Sequence, residues 1–181
     1  MEKKKIIIVI SCVLVVLVIA YLYINNSIKQ SNDAFARVQM LKLKEDSNSF
    51  VLDILYNASD LEEVGNTILN YWYDTIWEDK FDDINIAVET ALNDNKEVLQ
   101  VIILKHENII EDYKVLMDYD KDLDDEISDI QNGVKNIYES YYNFYNVVTN
   151  PSGNYSDFRN NFSQAISDLN NKVDTNLYLF E

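Results

Sequence analysis

The chain has 181 residues, a formal net charge of −16 and a pI near 4.3. The first 30 residues carry four Lys and one Glu, so the acidity belongs to residues 31–181; that part should repel nucleic acid and anionic lipid heads, and suits a basic peptide, a cationic surface or a metal ion. One Cys, one Pro and three Gly exclude a disulfide scaffold and a turn-rich β domain, and favour long helices.

Residues 1–5 form a basic N-terminus with Lys3, Lys4 and Lys5. Residues 6–24, Ile6 to Ile24, carry no charge, no Gly and no Pro. About 19 residues at ~1.5 Å each give roughly 28 Å, close to the ~30 Å hydrocarbon thickness of a bilayer. The expectation is a single transmembrane anchor, with the basic end cytoplasmic and the C-terminal part extracytoplasmic. Tyr21 and Tyr23 suit the outer interface. A cleaved signal peptide is the rival reading, since Val18-Ile19-Ala20 ends in a small residue, but the apolar run continues through Ile24. Val9-Ile10-Ser11-Cys12 resembles a loose lipobox, with apolar residues following where a lipoprotein turns polar. All three readings place the rest of the chain outside the cytoplasm.

Residues 25–45 read as a stalk, because Asn25-Asn26-Ser27 and Ser31-Asn32-Asp33 are weak helix formers; Ala34 to Lys44 has mixed periodicity and reads as linker or partial helix. Residues 46–181 read as an acidic helical bundle. Asp46-Ser47 suits an N-cap. The first seam is Val51, Ile54, Ala58, Leu61, Gly65, Ile68, Trp72 and Ile76, spaced by threes and fours. Gly65 on a seam implies either close approach of a neighbouring helix or a kink. The phase fails near Glu78 to Asp82, and Asp82 can cap a second helix with the seam Ile84, Val88, Ala91, Val98, Ile102, Ile109, Tyr113 and Leu116; Asn93-Asp94-Asn95 would distort it. The third seam, Leu123, Ile127, Ile130, Val134, Ile137, Tyr141, Phe144 and Val148, alternates +4 and +3 without a fault. Asn150-Pro151-Ser152-Gly153 is a turn. The fourth seam is Tyr155, Phe158, Phe162, Ile166, Leu169, Val173 and Leu177. The predicted fold is all-α: an N-terminal transmembrane helix followed by an antiparallel up-down four-helix bundle.

His106 is the only His and lies on or beside an apolar stripe; with no partner nucleophile or co-ligand in its pattern it reads as a packed boundary residue. Asp118 to Asp129 resembles a calcium loop in its acidic spacing, but Leu123 stands where such a loop needs Gly and Asp129 where it prefers Glu. It reads as an acidic turn opening the third helix, where the helix dipole favours carboxylates. No catalytic residue, cofactor site or metal site is expected. Aromatic residues flanking the seams offer a candidate partner-binding surface: Tyr73, Trp77 and Phe81 after the first seam, and Tyr138, Tyr142 and Tyr145 beside the third. In an up-down bundle these sets would meet at one end.

The function expected is that of a non-enzymatic, membrane-anchored, extracytoplasmic binding or scaffold module of a bacterial cell envelope. It would hold the lipid bilayer through residues 6–24 and engage a protein partner, with at most a weak homo-oligomer. The alternative is a regulatory bundle, sensor-like or an exclusion or immunity factor, acting through a protein partner. A pilin-like subunit is disfavoured because no acidic residue interrupts the apolar run, and sortase attachment because no Leu-Pro-x-Thr motif occurs.

Overall fold

The computed structural model describes residues 2–80, 83–121 and 123–181, with side chains from residue 17 onward. Among the described residues the chain is all-α, with α1 (Glu2–Trp77), α2 (Ile84–Asp94), α3 (Lys96–Met117), α4 (Asp125–Thr149), α5 (Tyr155–Asn176) and a closing 3₁₀ turn, Leu177–Phe180. It divides into two compact units, Met1–Leu41 and Lys42–Glu181.

The cap expected at Asp46-Ser47 is corrected, because α1 passes through it without a break, and residues 25–45 are helical throughout. No Pro or Gly precedes Gly65, and each Asn or Ser costs only about 0.5–0.7 kcal/mol against Ala in a helix. Ser47 is buried, and the core begins at Leu43, upstream of the predicted boundary. Among the described residues no helix is long and apolar enough to cross a membrane. The predicted span Ile6–Ile24 falls for the most part on side chains outside the described ones.

In the second unit the part of α1 from Lys42 is one rod, α2 with α3 the second, α4 the third and α5 the fourth. Neighbouring rods run antiparallel. Tyr119 bonds Asp46 at one end of the α1–α3 pair, and Tyr71 bonds Asp94 at the other. Gln131 of α4 reaches Leu116 of α3, and Tyr145 reaches His106. Phe162 of α5 meets Phe144 of α4; Phe158 meets Trp72 of α1, while the Phe180 carbonyl meets Asn48. This is the up-down-up-down bundle that the four seams predict.

The ends of the rods have identifiable causes. After Trp77, Asp79 takes a left-handed conformation (φ 52°) and the Lys80 N–H donates back to the Asp74 carbonyl (3.3 Å), six residues earlier, which closes the helix end. The cap of α2 is Asp83, whose Oδ1 accepts from the Asn85 N–H (2.6 Å); the predicted cap, Asp82, lies outside the described residues. The distortion expected at Asn93–Asn95 centres on Asn95, whose side-chain amide donates to the Ala91 carbonyl (2.8 Å) in competition with the backbone. Gly153 takes φ +85° in the turn after Pro151, and Asn154 with Asp157 forms a capping box that starts α5.

The seams of α1 and α4 are buried from Val51 to Trp72 and from Ile127 to Val148. Ile76 is exposed, because it lies in the last turn of α1, beyond the final core position Trp72. Leu177 is exposed as well: the chain tightens to three residues per turn there, which brings Phe180 into the core instead. On α2 and α3 the buried positions are Ala87, Ala91, Ile102, His106, Ile109 and Leu116; Ile84, Val88, Val98 and Tyr113 are half-buried.

Candidate functional site

Three arrangements in the second unit carry polar or aromatic chemistry. The first is at the end formed by the C-terminus of α1 and the N-terminus of α5. Tyr73 and Trp77, one helical turn apart, stack at 4.8 Å, and Tyr155 meets the indole edge-on at 5.3 Å. Trp77 is 57% exposed and Tyr73 46%. The indole is thus held on two sides and open on the rest. From Tyr71 to Asp94 the sequence has seven acidic residues and one Lys. That Lys80 pairs with Asp74 (2.6 Å) and lies 5.3 Å over the Tyr71 ring. The predicted third member of this set, Phe81, lies outside the described residues.

The second arrangement runs along the α3–α4 contact. Tyr138 stacks on Tyr113 at 4.1 Å, and Tyr145 on His106 at 3.7 Å, with Tyr142 flanking both Tyr138 and His106. Tyr138 and Tyr145 are half-buried and Tyr142 is exposed. Among the described residues no ring contact joins this stack to Trp77, so the expected meeting of the two sets at one end is corrected. The α4 tyrosines cover the middle of the bundle, because α4 passes Tyr138 to Tyr145 more than a turn before it ends at Thr149.

Beneath the stack is a buried polar chain that sequence reading missed. Asn57 of α1 donates from Nδ2 to the Ile102 carbonyl (3.1 Å) and to the Tyr141 hydroxyl (2.7 Å). The Tyr141 hydroxyl lies 3.0 Å from His106 Nδ1. Burial lowers the His106 pKa, with Glu107 opposing, which favours the neutral imidazole; in the tautomer protonated at Nε2, Nδ1 accepts from the Tyr141 O–H. Burial likewise pushes the Tyr141 hydroxyl far up, keeping it a donor. The one signal for this chain in the sequence is Asn57 next to the seam residue Ala58, which by itself resembles any surface Asn. Gln131 was missed for the same reason; it is buried and donates to the Leu116 and Tyr119 carbonyls (3.0 and 3.1 Å), finishing α3.

This chain makes stability depend on pH. A lowered folded pKa means that the unfolded state binds the proton more readily. The stabilisation is complete above about 6.5, the ordinary value for His, and is lost as pH falls from there through the lowered folded value, by up to about 1.4 kcal/mol per unit. Urea melts at pH 7.5 and 5.5 should show the loss, and His106→Gln should flatten it. An unchanged midpoint in the parent protein would refute the buried neutral imidazole.

The third arrangement is a groove of about 430 Å³ between α1 and α3, lined by Asp53, Tyr56, Lys105, Asn108, Ile109, Glu111 and Asp112. Lys105 pairs with Asp60 at 2.6 Å. Burial raises the Asp112 pKa, and Asp53, Asp46 and Glu111 raise it further. Outside this lining, the Tyr119 hydroxyl is pushed up to about 12 by burial and by its bond to Asp46. The acidic turn before α4 serves as a cap: Asp124 accepts from the Glu126 N–H (2.9 Å), while Asp122 lies outside the described residues. Among the described residues no group of three or more His, Cys, Asp or Glu is placed to hold a metal ion.

Comparison of the chain with protein-family models, with curated proteins and with solved structures gives no match.

Proposed function

We propose that the chain is a membrane-anchored, extracytoplasmic docking module of the bacterial cell envelope that acts by binding a protein partner and not by catalysis. The observation that carries this reading is the Trp77 site: an indole more than half exposed, yet oriented by Tyr73 and Tyr155. Rigid, exposed aromatic residues give large contact area at little cost in conformational freedom, and Trp and Tyr dominate binding hot spots. The acidic residues around it favour a basic partner segment, whose Lys or Arg groups would meet aromatic faces and carboxylates together. The anchor rests on the uncharged run Ile6–Ile24 and the outward orientation on Lys3–Lys5. A binding role is favoured over an enzymatic one because His106, the only imidazole, is closed over by Tyr145 and engaged by Tyr141.

Two measurements on Trp77→Ala test the site. An exposed indole with two ring contacts should cost about 1–2 kcal/mol on truncation, against about 3–5 for a buried Trp. Melting should therefore shift by only a few degrees, while cross-linked capture of the envelope partner from membranes should be lost. Capture that survives Trp77→Ala would remove the site from this end. Recovery of the chain in the soluble fraction after carbonate washing would refute the anchor.

A further inference from the structure

A pocket of about 350 Å³ lies between α1, α2 and the turn that joins α4 to α5. Ile84, Val88 and Leu92, at steps of four, give it one wall of hydrocarbon, and Pro151 gives another. All four are half-buried. Asn85, Glu89 and Ser152, which are exposed, form its polar rim. Trp72, 2% exposed, is the lining residue from α1 and forms the floor. Its buried Nε1–H has no hydrogen-bond partner. Leaving a buried donor unpaired is costly, and the great majority are paired in folded proteins.

The surroundings of that N–H define what can pair with it. Phe158 meets the indole edge-on at 5.1 Å, and its side chain offers no acceptor. A water on the floor would sit against the hydrocarbon of the walls, short of the about two to four polar partners that a buried water needs. An anionic acceptor is repelled by Glu89 and by the other acidic residues between Tyr71 and Asp94. A neutral acceptor carried on a hydrocarbon body satisfies both the N–H and the walls. Where that acceptor is an amide carbonyl, the amide's own N–H finds the Glu89 carboxylate and the Asn85 side-chain oxygen at the rim. We infer that this pocket binds a small neutral amide, its carbonyl accepting from Trp72 Nε1 and its alkyl part lying against Ile84, Val88, Leu92 and Pro151. The lining comes from residues 72–153, so the site needs neither the anchor nor the protein partner.

The chain has two Trp, so nitrogen-15 labelling of Trp gives two indole N–H signals in an NMR spectrum, and Trp77→Phe leaves that of Trp72 alone. The full chain in lipid nanodiscs is titrated with N-butylacetamide, butylammonium and hexanoate. N-butylacetamide should move the Trp72 indole proton downfield and saturate, the direction a new hydrogen bond gives. Butylammonium, which carries no acceptor, should leave it in place. Hexanoate should bind about tenfold more weakly than the amide, because its charge meets that of Glu89. Glu89→Gln should close most of that gap, a gain that misfolding does not produce. Val88→Phe, which fills the pocket, should remove the response to the amide with the helical circular dichroism unchanged. A Trp72 signal that the amide does not move (as when water already pairs it), a butylammonium shift equal to the amide's, or hexanoate binding unchanged by Glu89→Gln would each overturn the site.

Discussion

Truncating Tyr141 to Ala is expected to remove most of the stability of the bundle. The ring is fully buried, and deleting a buried aromatic side chain costs about 3–5 kcal/mol. Its hydroxyl is the shared partner of Asn57 and His106, and each buried polar group left unpaired adds about 1–3 kcal/mol. Against the ~5–15 kcal/mol that holds a typical domain, the variant should be largely unfolded at 37 °C. Tyr141→Phe separates the two contributions. It keeps the ring and removes only the hydroxyl, so a loss of about 1–3 kcal/mol in urea unfolding is expected. A Phe variant as stable as the parent would mean that the polar chain contributes nothing to stability.

The second large effect has the opposite sign to what helix propensity suggests. Gly65→Ala should gain about 1 kcal/mol on propensity alone. Yet a Cβ at Gly65 would overlap the ring of Phe162, which is itself buried between α1 and α4. Overpacking of this kind costs about 1–3 kcal/mol, so Gly65→Ala should be net destabilising and Gly65→Val more so. Phe162→Leu in the same chain should recover part of the loss, giving a coupling in a double-mutant cycle that distant residues would not show. If Gly65→Ala raises the urea midpoint, the close approach of α5 is wrong and the glycine marks only a local bend.

The bundle was legible in the sequence because its core side chains are apolar and repeat at helical spacing. The α4 seam is the clearest case, with every predicted position from Ile127 to Val148 buried. Boundaries were less legible. Asn and Ser between 25 and 33 lower helix propensity by tenths of a kcal/mol per residue, which neighbouring helix overrides, so they do not interrupt α1. At the far end, the shift from Leu177 to Phe180 comes from a tightened last turn that apolar spacing does not encode. The candidate site was half legible. Tyr73 and Trp77 stand beside the seam and are exposed, as flanking positions should be. Tyr138, Tyr142 and Tyr145 obey the same spacing, but their partners, Tyr113 and His106, come from another helix, and spacing along one helix does not tell what faces it. Asn57 and Gln131 were illegible for a related reason: the carbonyl and hydroxyl groups that accept from their side-chain amides come from other segments of the chain.

The Asn57–Tyr141–His106 chain joins three of the four rods at one level, and this bears on which of several slipped packings the sequence permits. Seams of apolar residues are nearly indifferent to a slip of one heptad. Such a slip of α4 would bring Val134 or Val148 to the level of Tyr141; one of α3 would bring Leu99 or Tyr113 to that of His106; one of α1, Phe50 or Val64 to that of Asn57. Most of these replace a hydrogen-bonding group by a hydrocarbon and leave its partner stranded, at about 1–3 kcal/mol for each stranded group. Polar residues placed this way act as a key for alignment, as a lone buried Asn does in a coiled coil. The polar level at the middle of the bundle thus selects one packing among near-equals, a role independent of how much it adds to the stability of that packing.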